Sequence, residues 1–255
     1  MRSVGAALVL VMVFAMPGLA QETSDPAPTP PPVTDTQKPD PFRKLFATLA
    51  RDIKRLPSED SARLALNGTI LALAAYPFDE ITTLGASSSH VLKAAYSGWG
   101  KALGREWIQG GGALAAYVTG RVFDKPTFTA VGGDLIEAQL LSVTLTQGMK
   151  FAVRRTRPDR EARSFPSGHA SAAFATAAVL HEHFGRRAAI PAYAVAVYTS
   201  TSRLQANSHF PSDVIIGATL GIIVGRTATI DVARVRFEVT PVPVKGGAMV
   251  VVAAR

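Results

Sequence analysis

A chain of 255 residues with a formal net charge of +8 and no cysteine is long enough to bury a proper core in one large domain. Without cysteine there is no disulfide framework, thiolate metal site, cysteine nucleophile or lipid-bearing cysteine. The positive balance favours acidic partners, which by charge alone include nucleic acid, an anionic membrane surface and phosphate-bearing substrates.

The first stretch, MRSVGAALVLVMVFAMPGLAQ, has a basic Arg2, an apolar run from Val4 to Met16 and small residues at Gly18 and Ala20. This is the pattern of a secretory signal over residues 1–20, and its apolar part falls short of the roughly 20 residues of a membrane span. An exported protein of the periplasm or cell envelope is therefore expected. Residues 21–41 are proline-rich and lack apolar periodicity, which predicts an extended, disordered linker.

From Phe42 the pattern becomes helical, with Leu45, Phe46, Leu49 and Ile53 following at helical spacing and basic residues between them. Such a helix packs its apolar stripe on a core, or lies on a membrane surface. Further helices are predicted at about 59–76, 87–103, 107–122, 131–154, 168–184, 187–204 and 211–226, with glycine, proline or serine in the gaps. The expected fold class is all-α, a helical domain over 42–230. VIIGATLGIIVG ends at Arg226, and AAIPAYAVAVYTSTS is cut by Pro191 and turns polar. Neither makes a clean span, so a buried bundle core is expected rather than spanning helices. Beyond it, residues 231–255 alternate apolar and polar side chains around Lys245, Gly246 and Gly247, which predicts a small C-terminal β-hairpin with Pro241 and Pro243 on an edge strand.

Three groups carry chemistry. In KFAVRRTRP, Lys150 stands seven residues before Arg157 and Pro158. In SFPSGHAS, Ser167 can cap a helix, Gly168 allows close backbone approach, and His169 stands where free N–H groups would meet an anion. In SRLQANSHFPSD, Pro211 starts a helix that places Asp213 one turn past His209. A carboxylate there can accept one ring N–H and leave the other nitrogen as a more basic nucleophile; it can equally be a helix-start aspartate that only caps. Lys150, Arg157 and Arg203 could converge on one phosphoryl group, arginine as a planar fork and lysine as a point charge.

Together these residues resemble the three-part signature of the type 2 phosphatidic acid phosphatase family, which also contains bacterial class A acid phosphatases and vanadium haloperoxidases. K-x6-RP is Lys150 to Pro158, PSGH is Pro166 to His169, and SR-x5-H-x3-D is Ser202 to Asp213. The resemblance implies that His209 attacks phosphorus to form a phosphohistidine, that Asp213 orients it, and that His169 protonates the leaving oxygen and later activates water. It implies that Lys150, Arg157, Arg203, Ser167 and the Gly168 N–H hold the phosphoryl oxygens, with no metal or other cofactor. The substrate would be a phosphomonoester or pyrophosphate, of a small molecule or a lipid, with membrane association and no nucleic-acid partner. Only seven residues separate Pro158 from Pro166, a link closer to the lipid-phosphatase members than to the soluble acid phosphatases. Two alternatives stay open: a vanadate-dependent haloperoxidase, and a non-catalytic envelope protein that binds anionic lipid or nucleic acid. His181, His183 and His90 are given no role.

Overall fold

The computed structural model describes residues 13–14, 53–54, 56, 58–96, 99–229, 237–244 and 247–254. The expected signal sequence, linker and first amphipathic helix lie outside the described residues, apart from Val13, Phe14 and the helical Ile53 and Lys54. The chain divides into two units, Thr48–Val235 and the pairing of Met1–Ala47 with Arg236–Arg255.

In the smaller unit, β2 (Phe237–Val244) pairs antiparallel with β3 (Gly247–Ala254), and β1 (Val13–Phe14) pairs with the other side of β3. Pro241 and Pro243 therefore lie on an edge strand, where a missing N–H can face away from the ladder.

The larger unit is helical: α1 (Glu59–Ala75), a 3-10 turn (Tyr76–Phe78), α2 (Asp79–Ser88), α3 (His90–Ala95), α4 (Trp99–Leu103), α5 (Glu106–Val122), α6 (Pro126–Val153), α7 (Gly168–Phe184), α8 (Arg186–Gln205) and α9 (Pro211–Thr229). α2 was not expected, for most of it falls in the gap between the helices predicted at 59–76 and 87–103, and two boundaries differ from the sequence reading. The segment expected as one helix over 87–103 is broken at Ser89, whose extended backbone ends α2 and whose hydroxyl caps α3 by accepting the Leu92 N–H. α6 starts at Pro126, earlier than 131, because proline suits the first helical turn, where its lack of an N–H costs nothing. α8 runs through Pro191, as does the helix predicted over 187–204.

α7 lies at the centre, packed against α6, α8 and α9. Its alanines at 170, 172, 173, 175, 177 and 178 are buried, and these small side chains let the neighbours come close. On α9, Gly217, Gly221 and Gly225 form a seam: a Cβ at these positions would stand 2.4, 2.3 and 2.6 Å from the carbonyl oxygens of Ser167, Ser171 and Ala175. Both series rise by four, so α7 and α9 run parallel and their N-termini share one end of the bundle. α6 runs the other way, since Asp134 at its start pairs with His183 at the end of α7 (2.6 Å) while Ser142 meets Ser171 (2.7 Å). α8 turns back after Gly185 and packs Tyr193 on Phe174. Leu141, Val179 and Val224 fill the core between α6, α7 and α9.

Candidate active site

Two helix N-termini and two helix C-termini thus meet at one end of the bundle. The unpaired N–H groups of α7 and α9, with the positive ends of their macrodipoles, attract an anion there. The C-terminal turns of α6 and α8 bring Lys150 and Arg203, both buried. The connections 154–167 and 206–210 supply the rest.

The α6–α7 connection is tight. Arg154 ends α6 in the left-handed conformation, and Arg160 and Arg163 also have positive φ. These turns carry Arg157 back beside the helix ends: its N–H donates to the Glu161 carbonyl, and its Nη1 donates to the Glu161 carboxylate at 2.8 Å. Lys150 Nζ donates to the Arg163 carbonyl at 2.9 Å. Ser167 caps α7 as its sequence suggests, accepting from the Ala170 N–H, and its own N–H donates to the Asp213 carbonyl at 3.0 Å. The two motif-bearing helix starts are therefore joined by a backbone hydrogen bond.

His209 is buried in the turn before α9, where Asn207 has positive φ and Ser208 N–H returns to the Arg203 carbonyl. Its Nδ1 lies 3.8 Å from Asp213 Oδ2, an ion-pair separation beyond hydrogen-bond length. The carboxylate of Asp213 is fully buried and held elsewhere: Oδ2 accepts from Ser164 Oγ at 2.5 Å and from the Phe210 N–H at 2.9 Å. The expected contact with His209 is thus one of charge and proximity, while the capping role is met by the Phe210 N–H.

Electrostatics separate the two imidazoles from ordinary histidines. Burial, then the positive charge of Arg203 and the presence of His209, Arg157 and Lys150, push His169 down to about 3. Burial also lowers His209, with Asp213 pulling the other way and Lys150 and Arg157 adding to the depression. Asp213 is held below the usual carboxylate range although burial alone would raise it, because the neighbouring His209, Ser164, the Phe210 N–H and Arg155 outweigh that effect. Burial, then Arg105 and Arg157, bring Arg203 down to about 10, which leaves it charged at neutral pH.

Arg157 Nε, His169 Nε2 and His209 Nδ1 are buried without a hydrogen-bond partner. Each such group costs about 1–3 kcal/mol, and one phosphoryl group, with its several acceptor oxygens, offers partners to the donors among them. All eight residues singled out from the sequence, Lys150, Arg157, Ser167, Gly168, His169, Arg203, His209 and Asp213, lie on the elements that converge at this end. Arg105 joins them from the start of α5, close enough to Arg203 to depress it. Gly104 stands against His169, for a Cβ there would come 2.8 Å from the ring Cδ2.

The sequence reading missed Asp79, Arg155, Ser164 and Ser212, which surround Asp213. Arg155 lies at an unspecified position inside K-x6-RP, and Asp79 carries no local signal. It also passed over His183, which pairs with buried Asp134 at the far end of the bundle. Among the described residues no cluster of histidine and carboxylate groups suits a metal ion.

A helical bundle that gathers three cations and two imidazoles at paired helix N-termini offers the charge and donors that a phosphate-sized oxyanion needs. The family model described as the PAP2 superfamily matches residues 132–236, so this segment, which carries all three motifs, is similar to that family. Over 101 residues the chain is 40% identical to a lipid A 1-phosphatase of Porphyromonas gingivalis, covering 36% of this chain and 23% of the relative. Over 58 residues it is 40% identical to a lipid A 4'-phosphatase of Helicobacter pylori, covering 23% and 29%. The chain thus spans about a quarter of the length of the curated relatives it matches. Among solved structures, it is similar to Aquifex aeolicus LpxE (TM-score 0.48, 25% identity, 58% of this chain and 92% of that one). It is also similar to the first transmembrane PAP2 type phosphatidylglycerolphosphate phosphatase from Bacillus subtilis (0.43, 21%, 74% and 93%). The family match stops at 236, short of β2 and β3.

Proposed function

We propose that this protein is a phosphatase that hydrolyses a lipid phosphate through a phosphohistidine on His209. One observation carries the reading: Arg157 Nε and His169 Nε2 are buried and unpartnered where Lys150, Arg203, His209 and two helix starts also converge. An imidazole nitrogen of His209 attacks phosphorus as the bond from phosphorus to the leaving oxygen breaks, and His169 gives that oxygen its proton. Water then attacks the phosphohistidine, passing a proton to His169; the N–P bond breaks and inorganic phosphate leaves. Lys150, Arg157, Arg203, Ser167 and the Gly168 N–H neutralise the equatorial oxygens, and most of the catalysis is such positioning and charge stabilisation. In the free protein His169 is neutral at pH 7; an incoming phosphate offsets the cations around it, so the proton His169 must donate arrives with the substrate.

The lipid part of the reading rests on two supports. The matched relatives are named as lipid A phosphatases, and the surface of α1 and α2 exposes Leu66, Ile70, Leu71, Leu73, Ile81 and Leu84. So much exposed apolar side chain on neighbouring helices suits contact with lipid. Pro211–Thr229 is the one described helix long and apolar enough to cross a membrane, and half of it is buried in the bundle; membrane association of an exported envelope protein is the form proposed. Phosphate release from lipid A, phosphatidic acid, prenyl pyrophosphates and a small aryl phosphate, in detergent and in a chelator, tests this. A lipid phosphate is expected to be preferred, and His209→Ala to lose about 10³-fold or more in kcat. Full activity in that variant, or no release from any of these compounds by the unmodified protein, overturns the proposal.

A further inference from the structure

Asp213 has a second set of partners that no signature motif includes. Arg155 Nη1 donates to Asp213 Oδ1 at 2.9 Å and to Ser212 Oγ at 2.8 Å, while its Nη2 donates to Asp79 Oδ2 at 2.7 Å. Asp79, at the start of α2, accepts the Ser212 N–H at 2.9 Å on Oδ1 and the Ser212 hydroxyl on Oδ2. One guanidinium thus bridges two buried carboxylates, Asp79 being 2% and Asp213 0% exposed. Its planar face lies over Phe210, with 4.2 Å to the ring centroid, and within 5.2 Å of Tyr76. Phe210 follows His209 directly, so the same guanidinium braces the turn that holds the proposed nucleophile.

This arrangement adds to what keeps Asp213 ionised, beside His209, Ser164 and the Phe210 N–H. A buried carboxylate without a counter-charge takes up a proton rather than remain ionised. Ser164 and the Phe210 N–H aim Oδ2, but they are neutral donors; the positive charge on the carboxylate from behind is Arg155. Asp79 in turn fixes Arg155, since a guanidinium donates in a rigid planar fork and two opposed carboxylates set both its position and its plane.

We propose that Arg155 and Asp79 are positioning residues for the reaction: they keep Asp213 ionised and aimed at His209, so that the positive charge which His209 gains as phosphohistidine is balanced across the 3.8 Å gap. The inference rests on the phosphatase reading and extends it to α2, outside the family match at 132–236. A lysine cannot replace Arg155, because a single ammonium cannot serve both carboxylates in this geometry.

The test uses the full chain with the best lipid phosphate found above, comparing the unmodified protein with Arg155→Lys, Arg155→Ala and Asp79→Asn. Arg155→Lys is expected to lower kcat roughly 10–100-fold with KM changed less than about threefold, the pattern of a lost transition-state interaction. The acid limb of its kcat profile moves to higher pH, because Asp213 protonates more readily. Asp79→Asn shifts the limb in the same direction by less. Millimolar guanidinium ion restores part of the activity of Arg155→Ala and none of that of His209→Ala. A merely structural role predicts lower thermal stability with an unmoved acid limb and no rescue. Unchanged kcat and pH profile in Arg155→Lys and Asp79→Asn, while the unmodified protein turns over and His209→Ala does not, overturns this inference alone. Absence of turnover by the unmodified protein overturns the phosphatase reading and, with it, this one.

Discussion

Gly221→Ala puts the helix seam to the test. The added Cβ would stand 2.3 Å from the Ser171 carbonyl oxygen, 2.8 Å from Phe174 Cβ and 2.9 Å from the Ala175 nitrogen. Two of these atoms belong to the α7 backbone, which no rotamer change can move. Ordinary contact needs about 3.4 Å or more, so α7 and α9 must separate by roughly 1 Å at this level. Overpacking of this kind costs about 1–3 kcal/mol, and taking the upper part of that range because backbone is struck, less about 1 kcal/mol gained in helix propensity, leaves a net loss of about 1–2 kcal/mol. For a domain of this size that lowers Tm by roughly 2–8 °C. The larger effect falls on activity. His169 sits on α7 and Asp213 on α9, and a displacement near 1 Å between reacting groups costs about 100-fold in rate. Gly148→Ala is the control, since nothing lies within 4 Å of its Cβ position; it should gain about 0.5–1 kcal/mol. Thermal unfolding and kcat are measured for both variants. If Gly221→Ala unfolds no earlier than Gly148→Ala and keeps kcat within twofold of the unmodified protein, close α7–α9 packing does not hold the site together.

Two further outcomes follow from His169. Its ring titrates at about 3 in the fold against roughly 6.5 in an unfolded chain, so the unfolded state binds the extra proton between those values. The stability His169 contributes is complete above about pH 6.5 and is lost as pH falls toward 3; denaturant midpoints at pH 7 and pH 4 should therefore differ less in His169→Asn than in the unmodified protein, and an equal difference refutes the assignment. Gly104→Ala places a Cβ 2.8 Å from His169 Cδ2 and 2.5 Å from Thr199 Cγ2. His169 Cβ also stands 2.9 Å away and moves only with the α7 backbone, so Tm should fall and kcat should drop about tenfold or more as the imidazole is displaced; an unchanged kcat shows that the ring position is not limiting.

How much of this was legible varies with the range of the interaction. The start of α7 at Gly168, its cap at Ser167 and the start of α9 at Pro211 follow from residues within one turn of each boundary. The helix through Pro191 was legible over 187–204, and its start is set by Gly185, whose φ of 68° ends one helix and admits the next. The break at Ser89 was equally local, but serine permits a helix interior as readily as a cap, so its neighbours alone do not decide.

By itself the sequence determined the composition of the site: which imidazoles, cations and carboxylate are available, their spacing along the chain, and the helix ends that present them. Only the tertiary structure decided their company. Parallel packing of α7 and α9 along Gly217, Gly221 and Gly225 sets His169 beside His209, and Asp79 reaches Arg155 across 76 positions of chain. Caps and periodicities are written in adjacent residues because backbone geometry is short-ranged, whereas a buried charge can take its partner from any element the packing brings near.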